Sequence, residues 1–368
     1  MSKKKTENKK PSIYDKTVDV LSKKHGMTII RRLRELKEKP EIGYSTGSLG
    51  LDYVISPNIG GMQAGKLIDL YGEFSTGKTT MALGLVANVV ANGRRALFLD
   101  AENSFKWKLA TDVGIDVDML DVMDSLDARS SANALYDLIS SGELGVVVID
   151  SIAAWKPLPE GKKGDDDVDI TKDKVAAQSL FLSHTLPTLC SACRDNDTLL
   201  IVINQVRKNI GGYGKEYKPF GGTSLEHQDN VRLFLSGKAA QKKPRILDSE
   251  GNIIGQWVTV ECDKNKIDMP LKKVRVPLIL GKGINPYMEV GELGQLVGAI
   301  DAGAGGHYRL EGQSERIAHG VDNLYQAIYD DPELFNHLRS VVIDRLGIKY
   351  SKDIVQVNPF LLERNLNE

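Results

Sequence analysis

Residues 71–80 read YGEFSTGKTT, and their spacing decides the architecture. From Gly72 the pattern is G-x-x-x-x-G-K-[ST], closing on Gly77, Lys78 and Thr79. In such a loop the backbone of Gly72, Glu73, Phe74, Ser75, Thr76 and Gly77 offers N–H groups to a β-phosphate. Lys78 reaches the β and γ oxygens, and the hydroxyl of Thr79, followed by Thr80, holds Mg²⁺. The flanks support this reading over a plain glycine turn. Residues 66–71 form a short apolar run with the length of a buried strand, and 79–87 read as a helix. The loop therefore sits where a strand hands over to a helix N-terminus, whose partial positive charge and free N–H groups favour an anion.

Working outward, the pattern alternates strand and helix, as in an α/β fold built on a parallel sheet. Strands are expected at 96–100, 146–149 and 199–203, and helices at 132–139 and 174–195. Upstream, 14–37 suggests a helix broken near Gly26, after a Lys-rich start with the composition of an unfolded segment. The strands at 231–235, 257–262 and 274–280 are spaced like antiparallel neighbours. Beyond Tyr287 a glycine-rich stretch and helices at 324–329 and 334–346 suggest a separate small α/β domain. Three segments result: an N-terminal tail and helical arm (1–44), a core (45–287) and a small C-terminal domain (288–368).

Bulk properties exclude several classes. The 368 residues are 41% hydrophobic and 26% charged, ordinary values for a globular protein. No apolar run is long enough to span a bilayer, and MSKKKTENKK lacks the apolar region of a signal peptide, so a cytoplasmic protein is expected. The formal net charge of −1 gives no bulk attraction to nucleic acid, so any such surface must be local. Three cysteines do not make a disulfide framework. Cys190 and Cys193 form a C-x-x-C within a helical pattern, which favours packing over a metal or redox role.

A parallel sheet presents its ligand at the carboxyl ends of its strands. Besides the loop at 72–80, three such ends carry polar groups, at Glu102, Asp150 and Gln205. Asp150 follows four β-branched residues and has the form of a carboxylate that orients Mg²⁺ beside a phosphate loop. Glu102 is either the group that activates water or a solvated turn carboxylate. After Gln205, the cations Arg207, Lys208, Lys215 and Lys218 interleave with Tyr213, Tyr217 and Phe220, while five glycines, Gly221 and Gly222 among them, supply backbone freedom. Cations that track phosphates and rings near bases suit single-stranded DNA. A surface loop without a partner is the alternative.

Seven segments in order resemble the RecA recombinase family: STGSLGLD (45–52), GEFSTGKTT (72–80), LFLDAEN (97–103), VVVIDSIAA (146–154), LLIVINQVR (199–207), KNKI (264–267) and GKGIN (281–285). GGMQAGKL (60–67) is also similar to UvsX-type phage recombinases, which leaves a bacterial or a phage source open. The resemblance implies a P-loop NTPase core of RecA type, with a mostly parallel central sheet and an antiparallel extension. It implies a DNA-dependent ATPase that uses ATP and Mg²⁺, forms a homo-oligomeric helical filament on single-stranded DNA and pairs it with homologous double-stranded DNA. Glu102 would activate water, Gln205 would sense the γ-phosphate, and Lys264 and Lys266 would reach the neighbouring subunit's γ-phosphate. A hexameric helicase and a non-hydrolysing recombination mediator are the rival readings.

Some residues depart from the family pattern. The first DNA loop should fall at 159–169, where Lys162 and Lys163 fit but Asp165, Asp166, Asp167 and Asp169 would repel phosphates. The usual aromatic position seven residues after the catalytic Glu holds Leu109, with Trp107 two residues earlier. The terminal ERNLNE is not strongly acidic, so inhibition by an acidic tail is expected to be weak.

Overall fold

A computed structural model describes residues 12–25, 41–124, 127–157, 174–208, 217–220, 222–237 and 245–361. For Arg207, Lys208, Lys218 and Gly222 the backbone alone is described. The Lys-rich start, the expected first DNA loop with Lys162, Lys163 and the four aspartates, and Tyr213, Lys215 and Gly221 lie outside the described residues.

The chain forms two compact units, Met1–Glu41 and Ile42–Glu368. In the first, helix α1 (Ile13–His25) opens on a reciprocal cap. The Asp15 carboxylate accepts from Ser12 N at 3.0 Å and Ser12 Oγ at 2.9 Å, while Asp15 N donates to Ser12 Oγ.

The second unit begins with β1 (Gly43–Tyr44), helix α2 (Leu49–Ile55) and β2 (Met62–Gln63). The alternating part comes next as β3 (Leu67–Gly72), α3 (Lys78–Ala91), β4 (Arg95–Asp100), α4 (Trp107–Asp112), β5 (Leu120–Asp124), α5 (Ala128–Ser140), β6 (Leu144–Asp150), α6 (Lys174–Asp195) and β7 (Leu199–Lys208). It gives way to β8 (Tyr217–Pro219), α7 (Gly222–Gln228), β9 (Val231–Ser236), β10 (Arg245–Leu247), β11 (Ile253–Asn265), β12 (Lys273–Ile279) and β13 (Gly283–Ile284). The last elements are α8 (Pro286–Leu296), β14 (Ile300–Gly303), β15 (His307–Leu310), β16 (Arg316–His319), α9 (Val321–Asp330) and α10 (Pro332–Leu346).

One sheet organises the unit, in the order β13-β12-β11-β9-β3-β7-β6-β4-β5. Residues 146–149 of β6 and 199–203 of β7 read as unbroken apolar runs because both faces of the sheet are covered, whereas β3 and β9 each carry one buried charge, Asp69 and Arg232. Successive residues alternate between two cores. Ile68, Leu70, Val146, Val148, Ile201 and Ile203 join the cluster under α2 and α3, whereas Leu67, Val147, Ile149, Leu200 and Val202 join the cluster under α5 and α6. Tyr287, Leu324, Phe335 and Leu338 from the C-terminal elements belong to the first cluster.

The strand at 231–235 is not purely an antiparallel element: β9 runs parallel to β3 on one side and antiparallel to β11 on the other. The chain leaves β7, crosses through α7 and returns in the same direction beyond β3, so β9 is the seam between the two halves of the sheet. Cys193 is buried in the second cluster and Cys190 packs at its margin, both on α6.

Candidate nucleotide and DNA site

The phosphate loop owes its shape to two glycines, one at a close backbone approach and one at a left-handed turn. Gly72 ends β3, and a Cβ there would lie 2.2 Å from the Leu235 carbonyl oxygen on β9. Gly77 has φ +80, and its Cβ would meet Leu278 at 2.0 Å. Ser75 also adopts a left-handed conformation (φ 59), and Thr76 Oγ1 donates to the Glu73 carbonyl at 2.9 Å, closing the turn. Helix α3 then starts with neither a side-chain cap nor an acidic residue in its first turn. Its first N–H groups are thus left uncapped by the helix's own side chains, the arrangement an anion requires. This cradle fits a polyphosphate.

Lys78 is drawn into the same space. Its Nζ donates to Gly72 O at 3.1 Å and Glu73 O at 2.8 Å. Burial lowers its pKa, and the charges of Asp150, Glu102 and Glu73 oppose that shift. Next to it, Thr79 Oγ1 donates to Asp150 Oδ2 at 2.7 Å. Burial pushes Asp150 up to about 6, with the Thr79 hydrogen bond acting against it and the nearby Glu102 and Asp100 charges adding to it. A hydroxyl and a carboxylate meeting beside a phosphate cradle are hard oxygen donors of the kind Mg²⁺ takes, so these residues fit the ion.

Glu102 lies two residues beyond β4, whose end is level with Asp150 on β6. The turn that displays it is tied down by Asp100, which accepts from Ser104 N at 3.0 Å and Phe105 N at 2.8 Å. Glu102 Oε1 accepts from Gln205 Nε2 at 2.8 Å and from Ser151 Oγ. Gln205 in turn is level with Gly72 across the β3–β7 pair. Lys78, Thr79, Asp150, Glu102 and Gln205 therefore gather at one edge of the sheet. Ser151 and Asp100 were not singled out in the sequence, although each adjoins or ends a strand that was. Trp107 is exposed at the start of α4, whereas Leu109 is half-buried against the first core cluster.

Lys264 and Lys266 stand elsewhere. Lys264 is opposite Arg232, which is level with Asp69, three residues back from Gly72 along β3. At roughly 3.3 Å per residue that is about 10 Å toward the amino end of the parallel strands. Lys264 Nζ donates to the Glu226 carbonyl and to Asp229, and Lys266 Nζ to the His227 carbonyl at 2.8 Å.

The flanks of the loop after Gln205, expected to meet DNA, form a hairpin stem. β7 and β8 pair antiparallel, with Arg207 opposite Lys218 and Lys208 opposite Tyr217. Just beyond it, Phe220 N donates to Gln205 O at 3.1 Å and Asn204 Nδ2 donates to Phe220 O at 2.8 Å. The Tyr217 ring is 6.1 Å from that of Phe234, and Phe220 packs against the second core cluster.

What reaches the carboxyl edge of this sheet is built to hold a nucleoside triphosphate, and the class so defined is the P-loop nucleoside triphosphatases. Within that class the chain belongs to the RecA family, because the family model of the RecA N-terminal domain matches residues 12–285. The chain is 34% identical over 319 residues to protein RecA of Desulforapulum autotrophicum, covering 86% of each. It is 31% identical over 347 residues to protein RecA of Mesomycoplasma hyopneumoniae, covering 93% of this chain and 97% of that one. With protein RecA of Nautilia profundicola it shares 31% identity over 351 residues, 94% of this chain and 95% of that one. The RecA family consists of DNA-dependent ATPases of recombination and repair, and the chain is one of them.

Proposed function

We propose that the chain assembles as a helical homo-oligomer on single-stranded DNA, binds ATP at residues 72–80 and pairs the coated strand with homologous double-stranded DNA. Lys78 and the α3 N-terminus hold the phosphates; Thr79 and Asp150 hold Mg²⁺. The ion would supply charge neutralisation on the β and γ oxygens. Glu102 orients and deprotonates water, and Gln205 reports the γ-phosphate to the strand that leads into the DNA loop. Lys264 and Lys266 serve the neighbour's γ-phosphate, so a lone subunit is an incomplete ATPase. Arg207, Lys208, Lys215 and Lys218 track the DNA backbone, with Lys162 and Lys163 from the first loop.

The arm at 1–44 joins neighbouring subunits, the ATPase body spans 45–287, and 288–368 is a small appended layer. Among the described residues no helix is long and apolar enough to cross a membrane. The cytoplasm is the proposed compartment.

One observation carries this reading, the hydrogen bond between Gln205 Nε2 and Glu102 Oε1. It joins the residue that would sense nucleotide, at the root of the DNA-loop hairpin, to the residue that would cut it. ATP hydrolysis with and without single-stranded DNA tests the proposal. Turnover stimulated by DNA is expected; none would favour a mediator without turnover. Closed rings by electron microscopy with an ATP analogue and single-stranded DNA would favour a helicase.

A further inference from the structure

Two lysines that serve an anion must be brought together and held, and nothing in their own chemistry does this. An ammonium on four methylenes loses side-chain entropy when fixed, and two ammoniums side by side repel. The holding group here is a carboxylate from outside the K-N-K segment. Asp229 immediately follows α7, and its N–H donates back to the Leu225 carbonyl at 2.9 Å. Its side chain is wholly buried, and Oδ1 accepts from Lys264 Nζ. Oδ2 lies 2.7 Å from Arg232 Nη2, an ionic contact without hydrogen-bond alignment.

Arg232 is itself fixed. Its Nε donates to Asp69 Oδ2 at 3.1 Å, and Asp69 sits on β3, the strand that ends in the phosphate cradle. The α7 carbonyls complete the holder, with Glu226 O taking Lys264 and His227 O taking Lys266. An ammonium has three donors. Lys264 is given two partners here and Lys266 one, and both side chains retain solvent access, so each keeps a donor for an outside anion. Burial, and then the neighbouring Lys264 charge, lower the pKa of Lys266, as expected of two cations held close together.

We infer that Asp229 is a positioning residue for hydrolysis in the adjoining subunit: backed by Arg232 and Asp69, it holds the Lys264 ammonium at the place from which it meets the neighbour's γ-phosphate. The inference rests on the proposed role of Lys264 and Lys266 in the neighbouring site. It assigns the preorganisation to a buried charge that the K-N-K segment does not contain. Without that charge Lys264 remains present but samples many positions, and the geometry must be gained anew in each turnover.

Asp229→Asn keeps the size and one acceptor oxygen and removes the charge. In the full-length protein, kcat of DNA-stimulated hydrolysis should fall by roughly tenfold, the scale of losing a group that orients another. KM for ATP should stay near that of the parent, while the thermal midpoint should fall, because Arg232 and Lys264 lose a buried carboxylate partner. Mixing Asp229→Asn with Glu102→Gln should then restore turnover, because interfaces arise in which an intact Glu102 faces an intact lysine holder. A parent-like kcat, or a loss that mixing leaves untouched, overturns the inference. If Asp229→Asn does not fold, Asp229→Ser, which keeps a hydroxyl acceptor without charge, is read by the same criteria. The neighbour-site reading fails separately, if Lys264→Ala alone hydrolyses ATP at the parent rate.

Discussion

Glu102→Gln separates chemistry from communication. Glu102 Oε1 accepts from Gln205 Nε2 at 2.8 Å and from Ser151 Oγ, and a glutamine can present a carbonyl oxygen to both donors. Only the proton-accepting carboxylate is removed. Positioned general bases contribute about 10²–10⁴-fold, so kcat should drop by that factor, equivalent to about 3–5 kcal/mol of barrier. Nucleotide affinity should hold, because Lys78 hydrogen-bonds to Gly72 O and Glu73 O rather than to Glu102. Glu102→Ala should be equally slow but differ in a second respect: with no acceptor for Gln205, the nucleotide should lose influence over DNA affinity. Phosphate release with saturating single-stranded DNA gives kcat, and DNA dissociation with and without an ATP analogue gives the coupling. A Glu102→Gln protein within about threefold of the parent kcat would remove Glu102 from the mechanism. If both variants kept nucleotide-dependent DNA affinity, the Gln205 link would not be the route.

Lys78→Ala should abolish tight nucleotide binding measured by calorimetry, and an unchanged affinity would sink the cradle assignment. Arg207→Ala with Lys208→Ala should flatten the salt dependence of single-stranded DNA binding by about 0.7 in log–log slope for each phosphate no longer neutralised; a slope equal to the parent's would exclude this strand from the DNA backbone. Lys264→Ala with Lys266→Ala should be inactive yet bind nucleotide as a monomer, and should regain turnover when co-assembled with Glu102→Gln, whereas confirmed co-assembly without recovery would end the shared-site reading. Burial pushes Glu289 up to about 7 in the fold, against an ordinary value near 4.5, so the folded chain binds more protons than the unfolded chain between those values and Glu289 adds stability as pH falls through 7. Glu289→Gln should therefore shrink the gain in thermal midpoint between pH 8 and pH 6 relative to the parent, and an identical pH response would contradict the shift.

Sequence legibility tracks how much of each residue's role is local. The runs at 146–149 and 199–203 were readable because burial on both faces demands unbroken apolar residues, and the phosphate loop because its turn demands glycines at fixed spacing. β5 was not, since LDVMD at the sheet edge is mostly open to solvent and carries little apolar signal. The small sheet of β14, β15 and β16 was hidden for a similar reason: four-residue strands joined by glycine turns leave no periodicity to count. The direction of β9 depends on a crossover rather than on its own residues. Ser151, Asp100 and Asp229 are ordinary residue types whose roles exist only through the partners they meet in the fold.

The strand β3 links what would otherwise be separate devices. At its carboxyl end Gly72 opens the phosphate cradle, level with Gln205. Three residues earlier Asp69 takes Arg232, and through it the Asp229 holder of Lys264. β3 lies between β7 and β9, with every residue buried, so a shift of one end relative to the other would break ladder hydrogen bonds on both sides. In the proposed filament, then, a subunit cannot readily move its own cradle while leaving its lysines fixed against the next subunit. A nucleotide that seats the cradle would then bias the proposed interface through the rigidity of one strand, a coupling that the mixed-variant and DNA-dissociation assays above test. In the proposed filament this would let ATP act on assembly and hydrolysis on release, from a site whose two halves belong to different copies of the chain.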